Sequence, residues 1–379
     1  MRLTTRTRWL VPAVLVGVVA AGVGGAAAFT ADASPPLPAK SAGQLLVDLQ
    51  NADVTGLSGT VVQNSALGIP ALPTVGGHGS ADLTGLLAGP HTMRVWYAGP
   101  EKVRLALLGT LGESDIIRNG RNAWVWESAK NSATHVVLPA HEPTKGVPVP
   151  GELPATPQEA AKQALALLDP TTDVVVDGTA SVAGRAAYEL VLSPKDDRSL
   201  VSSVRLAVDA ERSVPLRVQV LPRGGGKPAF EVGFRQVSFG TPGAEQFDFR
   251  PPPGATVTEQ SATGPEMGHT SGHPGGRKGE GDRAAEPRVK IVGTGWTTVA
   301  ILPTPGGLLG GGTSSSGNSG SSEANPLAAV LRSLPRVSGA WGSGSLLKGT
   351  VFSALLTDDG RLAIGAVRPE LLYAALGQR

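Results

Sequence analysis

The residues able to do chemistry in this 379-residue chain are few and poorly grouped. There is no cysteine, which removes disulfides, thiolate metal sites and cysteine nucleophiles together. His135 and His141 flank the end of a predicted strand without a nucleophile beside them, and read as surface or edge residues. His269 and His273 fall in a Gly-rich stretch with no nearby acidic pair, a poor ligand set for a metal. Asp196-Asp197 and Asp358-Asp359 sit beside Pro or Gly in turn contexts, where carboxylates are solvated or cap backbone rather than act as an acid and base pair. "GTGWTT" at 293–298 lacks the third glycine of a dinucleotide fingerprint and a following helix. "GGGKP" at 224–228 lacks the spacing and hydroxyl residue of a phosphate loop. Both read as turns. No serine lies in a G-x-S-x-G elbow. The chain is expected to bind rather than to catalyse, with neither a metal nor a cofactor.

The chemistry that remains is apolar recognition. In "IIRNGRNAWVWESAKNSATHVVL", residues 116–138, Trp124 and Trp126 lie one residue apart. Side chains alternate along a strand, so the two indoles share a face and Val125 points the other way. Asn119-Gly120 between Ile116-Ile117 and this strand is a two-residue hairpin signal, and "SAKNS" makes the next turn towards Val136 and Val137. Upstream, Met93, Val95 and Tyr97 alternate with Arg94 and Trp96. After a turn around Pro100, Val103, Leu105 and Leu107 alternate with Arg104 and Ala106.

Further elements must hold these strands in place. Ser41 can cap a short helix carrying Leu45, Leu46 and Leu49, a stripe suited to lying on a sheet. A second helix is predicted over 157–168, with Thr156 as N-cap, Pro157 at the first position and Glu159 completing a capping box. Strands follow with apolar sets Tyr188, Leu190, Leu192; Val204, Leu206, Val208; Leu216, Val218, Val220; and Phe230, Val232, Phe234. Their other face carries Glu189, Arg205, Asp209, Arg217, Gln219, Glu231 and Arg235, so one side is oily and the other wet. Residues 41–258 read as an α+β unit: a strongly curved antiparallel sheet, or incomplete β-barrel, with two helices over its apolar face.

Composition sets the surroundings. The formal charge of +2 arises from Arg2, Arg6 and Arg8, which meet no acid before Asp32. The rest is close to neutral, and no basic patch argues for nucleic acid. Those arginines precede a charge-free stretch from Trp9 to Ala31 with small residues for cleavage after Ala28 or Ala33. Residues 1–33 are thus either a signal peptide or an N-terminal membrane anchor, and the chain is directed out of the cytoplasm. With no cysteine, an acylated anchor is excluded. Residues 34–40, "SPPLPAK", form a stiff spacer.

"WYAGPEKVRLALL" followed by the paired-tryptophan strand resembles the core of the LolA-like lipoprotein carrier superfamily. "YELVLSP", "VPLRVQV", "FEVGFRQVSFG" and "FDFRPPPGA" resemble its later strands. The resemblance implies an unclosed barrel with a helical lid over a cavity for acyl chains of lipids or lipoproteins, and brings no catalytic set. On it, Tyr97, Leu105, Leu107, Trp124, Trp126, Leu190 and Phe230 are expected to line that cavity. The alternative is a sheet filled solid by its own helices. An acyl chain gains about 0.8 kcal/mol per buried methylene, close to what a bilayer offers, so pick-up and release are nearly balanced and a membrane surface is an expected partner.

Beyond 258 the chain departs from that pattern. Residues 259–287 have the composition of a flexible linker. Residues 288–379 read as a small α+β domain with a disordered insert at 303–326, a hairpin at Asp359-Gly360 and a helix starting near Pro369. This two-domain layout is similar to the MucB/RseB family, which implies a second reading: an envelope sensor that binds a membrane-embedded anti-sigma factor.

Overall fold

The computed structural model describes residues 37–69, 89–109, 112–138, 156–157, 171–261, 289–304 and 333–378. The N-terminal segment, the predicted helix beyond Pro157, most of the expected linker, the insert from 305, and His141, His269 and His273 lie outside the described residues.

Ser41 does cap a helix. Its hydroxyl accepts from the Gln44 amide and the Gln44 side chain accepts from the Ser41 backbone, a reciprocal box that starts α1 (Ala42–Asn51). Twelve strands then make one sheet: β1 (Leu57–Ser65), β2 (Gly89–Tyr97), β3 (Lys102–Gly109), β4 (Gly112–Asn119), β5 (Asn122–Glu127), β6 (Ser132–Val137), β7 (Thr172–Val182), β8 (Arg185–Pro194), β9 (Val201–Asp209), β10 (Pro215–Pro222), β11 (Phe230–Ser238) and β12 (Thr256–Ser261). Their order is β12-β6-β5-β4-β3-β2-β1-β11-β10-β9-β8-β7, and the terminal strands β12 and β7 are not paired with each other, so the sheet is open. Every pairing is antiparallel except β12 on β6. That strand carries the first sheet to Ser261, past the boundary expected at 258. The described residues are mostly strand, so the α+β description holds less well than an open sheet roofed by one described helix.

Local signals set the hairpins. Gly120, at φ +62°, turns β4 into β5 so that Asn119 faces Asn122, and Asn131, at φ 45°, closes the turn into β6. The "VDAERSVP" connection is organised by Asp209, whose carboxylate accepts from the amides of Glu211 and Arg212 and from the Arg185 guanidinium. The inner face of the sheet holds the main core, a single cluster that includes Leu45 and Leu49 of α1 with Val61, Met93, Leu206, Val218 and Phe234. Across β7 to β10 the outer face is an ion-paired ladder: Arg205 bonds Asp177 and Glu189 at 3.0 Å, and Arg217 bonds Glu189 at 2.7 Å.

A second sheet contains β13 (Lys290–Val292), β14 (Val299–Pro303), β15 (Arg336–Gly339), β16 (Gly342–Lys348), β17 (Ser353–Thr357) and β18 (Arg361–Gly365), ordered β13-β14-β18-β17-β16-β15. The predicted hairpin turns at Gly360, and α2 (Pro369–Gly377) starts with proline at its first turn and packs Leu372, Ala375 and Leu376 on this sheet. The two sheets are docked. Trp296 is buried in the main core and donates to the Thr172 hydroxyl at 2.8 Å, while the backbone amides of Leu200 and Thr350 donate to the carbonyls of Ala366 and Leu67 at 2.8 Å each.

Candidate functional site

Five of the seven expected site residues come together on the inner face. Along β2 and β3, Tyr97 pairs with Val103, Leu105 with Val95 and Leu107 with Met93, all in the core cluster that includes Leu45 and Leu49 of α1. Phe230 stands opposite Val220, and Leu190 opposite Leu206, in the same core. These side chains are closely packed: Leu190 is fully buried and Tyr97, with its phenol held above its ordinary pKa by burial, is the most exposed at 8%.

The two tryptophans are a correction. They share a face as expected, but it is the outer one. Trp124 stands opposite Ile117, which stands opposite Arg104, while Leu105 on the other side of β3 stands opposite Ile116. The wall of seven residues therefore does not form. Trp124 and Trp126 pack instead against Phe249, beside Ile117, under the chain between β11 and β12 as it crosses the outer face. Trp124 stacks on His135 at 4.1 Å between ring centroids with an interplanar angle of 16°. His135 also bridges Glu259 at 2.7 Å and Asn122 at 3.0 Å, tying β12 to β6, so it is a packed linking residue and not an incidental one.

The cause of the error was readable. A two-residue turn at Gly120 fixes Ile117 against Trp124, and Arg104 alternates with Leu105; following the register across both hairpins puts the indoles on the arginine's face. The same face holds a buried ion pair that sequence reasoning missed. Arg104 donates to Asp115 at 2.6 Å and to the Gln246 carbonyl at 3.4 Å, and burial raises the Asp115 carboxyl to about 7 despite the guanidinium beside it.

Other candidates are structural. Asp196 and Arg198 form an exposed fork that lowers the Asp196 carboxyl to about 2, and Asp358 and Asp359 pair with Arg336 and Arg361. "GTGWTT" is a 3-10 turn seating Trp296, and "GGGKP" is the turn between β10 and β11. Among the described residues no group of three or more His, Asp or Glu could hold a metal, and no helix is long and apolar enough to cross a membrane. Among the same residues, two surface depressions stand out, of ≈ 320 and ≈ 130 Å³. Neither is lined by any of the seven predicted residues. The larger is open and lies on the outer face, among Ser58, Thr60, Arg94, Trp96, Gln236 and Ser238.

Solved structures of MucB and of LolA-superfamily proteins resemble this chain. A complex of Pseudomonas aeruginosa MucA and MucB matches at 16% identity and a TM-score of 0.42, covering 88% of this chain and 96% of the other. A structure of MucB matches at 17% and 0.37, covering 89% and 95%. A LolA superfamily protein from Nitrosomonas europaea matches at 11% and 0.23, covering 56% and 99%. No protein-family model and no curated protein matches the sequence. With TM-scores below 0.5 these likenesses carry no functional argument.

Proposed function

We propose that the chain is an extracytoplasmic binding protein whose inner sheet face takes the acyl chain of a lipid or lipoprotein, without bond chemistry or a cofactor. The supporting observation is the continuous apolar face on which Tyr97, Leu105, Leu107, Leu190 and Phe230 meet, in a sheet left open at both ends. Over that face lies α1, a ten-residue helix whose buried residues are Leu45 and Leu49. A helix this short owes its stability to packing. Burying two leucines is worth about 3–6 kcal/mol, and about six methylenes of an acyl chain at about 0.8 kcal/mol each offset it. An acyl chain therefore competes with α1 for one surface, which makes loading reversible. Outside the cytoplasm is the setting that the charge-free N-terminal stretch supports.

Organic extraction of the purified protein followed by mass spectrometry tests the reading, together with titration by a fluorescent fatty acid. Lipid is expected in the extract, and the combined Leu45→Ala and Leu49→Ala variant should bind the probe several-fold more tightly. Absence of lipid from both cell-derived and lipid-incubated protein, with tryptophan emission unchanged, rejects it.

A second reading is favoured by one observation, the docking of the second sheet through Trp296 and Thr172. Here the two sheets act as one sensor for a membrane-embedded regulatory partner of the anti-sigma type. Deletion of the second sheet, residues 288–379, should then abolish capture of one membrane protein while bound lipid is still recovered on extraction.

A further inference from the structure

On the outer face, β11, β1 and β2 are paired so that Gln236, Thr60 and Arg94 form one row and Ser238, Ser58 and Trp96 the next. The register shifts between Thr60 and Val61, and the strands approach so closely that a Cβ at Gly59 would lie 2.4 Å from the Gln236 carbonyl oxygen. Hydroxyl side chains at Ser58, Thr60 and Ser238 leave the surface low between the flanking Trp96 and Gln236. The result is the ≈ 320 Å³ depression, at the small end of sizes that hold organic ligands.

Its chemistry is one-sided. The lining offers three hydroxyls, a carboxamide and a guanidinium, and no carboxylate. Four arginines of this sheet are matched by acids: Arg104 by Asp115, Arg185 by Asp209, Arg205 and Arg217 by Glu189. Arg94 differs. It is exposed, and among the described residues its guanidinium meets only the Trp96 ring, 5.9 Å away. The far end of that contact is fixed, because the Arg104 guanidinium also lies 5.4 Å from the same ring while held by Asp115. A guanidinium with its fork open to solvent, beside hydroxyl donors and a flat aromatic wall, is complementary to a planar or tetrahedral oxyanion bound through two parallel N–H···O bonds.

We propose that this depression is an oxyanion site in which Arg94 clamps a phosphate or carboxylate group, with Thr60, Ser58 and Ser238 as hydroxyl donors and Trp96 as the wall for the group attached to it. The ligand is a small phosphate monoester or an anionic lipid headgroup, and the smaller depression, which Asp53 lines, is less suited to an anion. The site is on the face opposite Tyr97, Leu105 and Leu107, so it stands or falls separately from acyl binding.

Calorimetric titration of the full chain with inorganic phosphate and with glycerol phosphate, and flotation with phosphatidylglycerol against phosphatidylcholine vesicles, test it. Saturable binding is expected, weakened at least tenfold by Arg94→Gln and severalfold by Thr60→Val, and unchanged by Lys348→Gln on the second sheet. Binding of the soluble monoester identifies a free ligand; binding of anionic vesicles alone, lost in Arg94→Gln, identifies a headgroup. No saturable binding to any of these, or equal loss in Arg94→Gln and Lys348→Gln, overturns the assignment.

Discussion

Arg104 and Asp115 face each other at 2.6 Å on adjacent strands, under the crossing chain that carries Phe247, and the Asp115 side chain is 3% exposed. This pair marks the outer face of the sheet as a second interior. It is built from a charge pair and aromatic rings where the inner face is aliphatic.

Asp115 makes stability depend on pH. Burial outweighs the pull of Arg104 and raises the carboxyl to about 7, so the folded state holds its proton more tightly than the unfolded chain does. Its contribution is fully present below the unfolded carboxylate range and is lost as pH rises from about 4 through about 7, with a slope of at most about 1.4 kcal/mol per pH unit. Urea midpoints measured from pH 4.5 to 8 should fall across that window for the wild type and fall less for Asp115→Asn. Parallel profiles would show that Asp115 does not titrate there.

Phe247 is a buried anchor of the crossing chain that carries Phe249. It is 1% exposed, and Phe249 two residues on touches both Trp124 and Trp126, at 5.4 and 5.9 Å between centroids. Phe247→Ala should cost about 3–5 kcal/mol and shift tryptophan emission to the red as water reaches the indoles. Retained stability with unshifted emission would mean that the crossing chain is not packed there.

Trp296 joins the two sheets. Removing it empties a site in the main core and leaves the Thr172 hydroxyl without this donor. Trp296→Ala should lower the unfolding midpoint and split one transition into two, as the sheets uncouple. Small-angle scattering should show a larger radius of gyration; one unchanged transition with an unchanged radius contradicts the role.

Gly59 reports on the close approach that shapes the depression. Gly59→Ala places a methyl group against the Gln236 carbonyl and, with Phe234 3.1 Å away, has no room to relax. A loss of about 1–3 kcal/mol is expected, as for overpacking, together with weaker anion binding. A neutral effect on both would show that β1 and β11 separate readily.

Much of the fold follows from local rules acting within a few residues. Alternation sorted Leu105 from Arg104 and Leu190 from Glu189, Asn119-Gly120 closed a hairpin, Ser41 capped a helix and Pro369 began one. What escaped were β1 and β7, whose polar or valine-rich stretches carry weak patterns, and β12, whose only reason to be a strand is the exposed edge of β6. A parallel partner 124 positions away is invisible to local periodicity, since Val257 pairs with Ala133 yet remains half exposed.

The sequence by itself determined which residues share a face, because side-chain direction alternates along each strand whatever surrounds it. It could not say which face is covered by what. Trp124 and Trp126 look like the wall of an apolar hollow until the register sets them beside Ile117 and Arg104, where Phe249, more than a hundred positions later, packs on both. Only tertiary structure decided that, because burial is a property of distant segments meeting, and two faces of one sheet can each be closed by a different piece of chain.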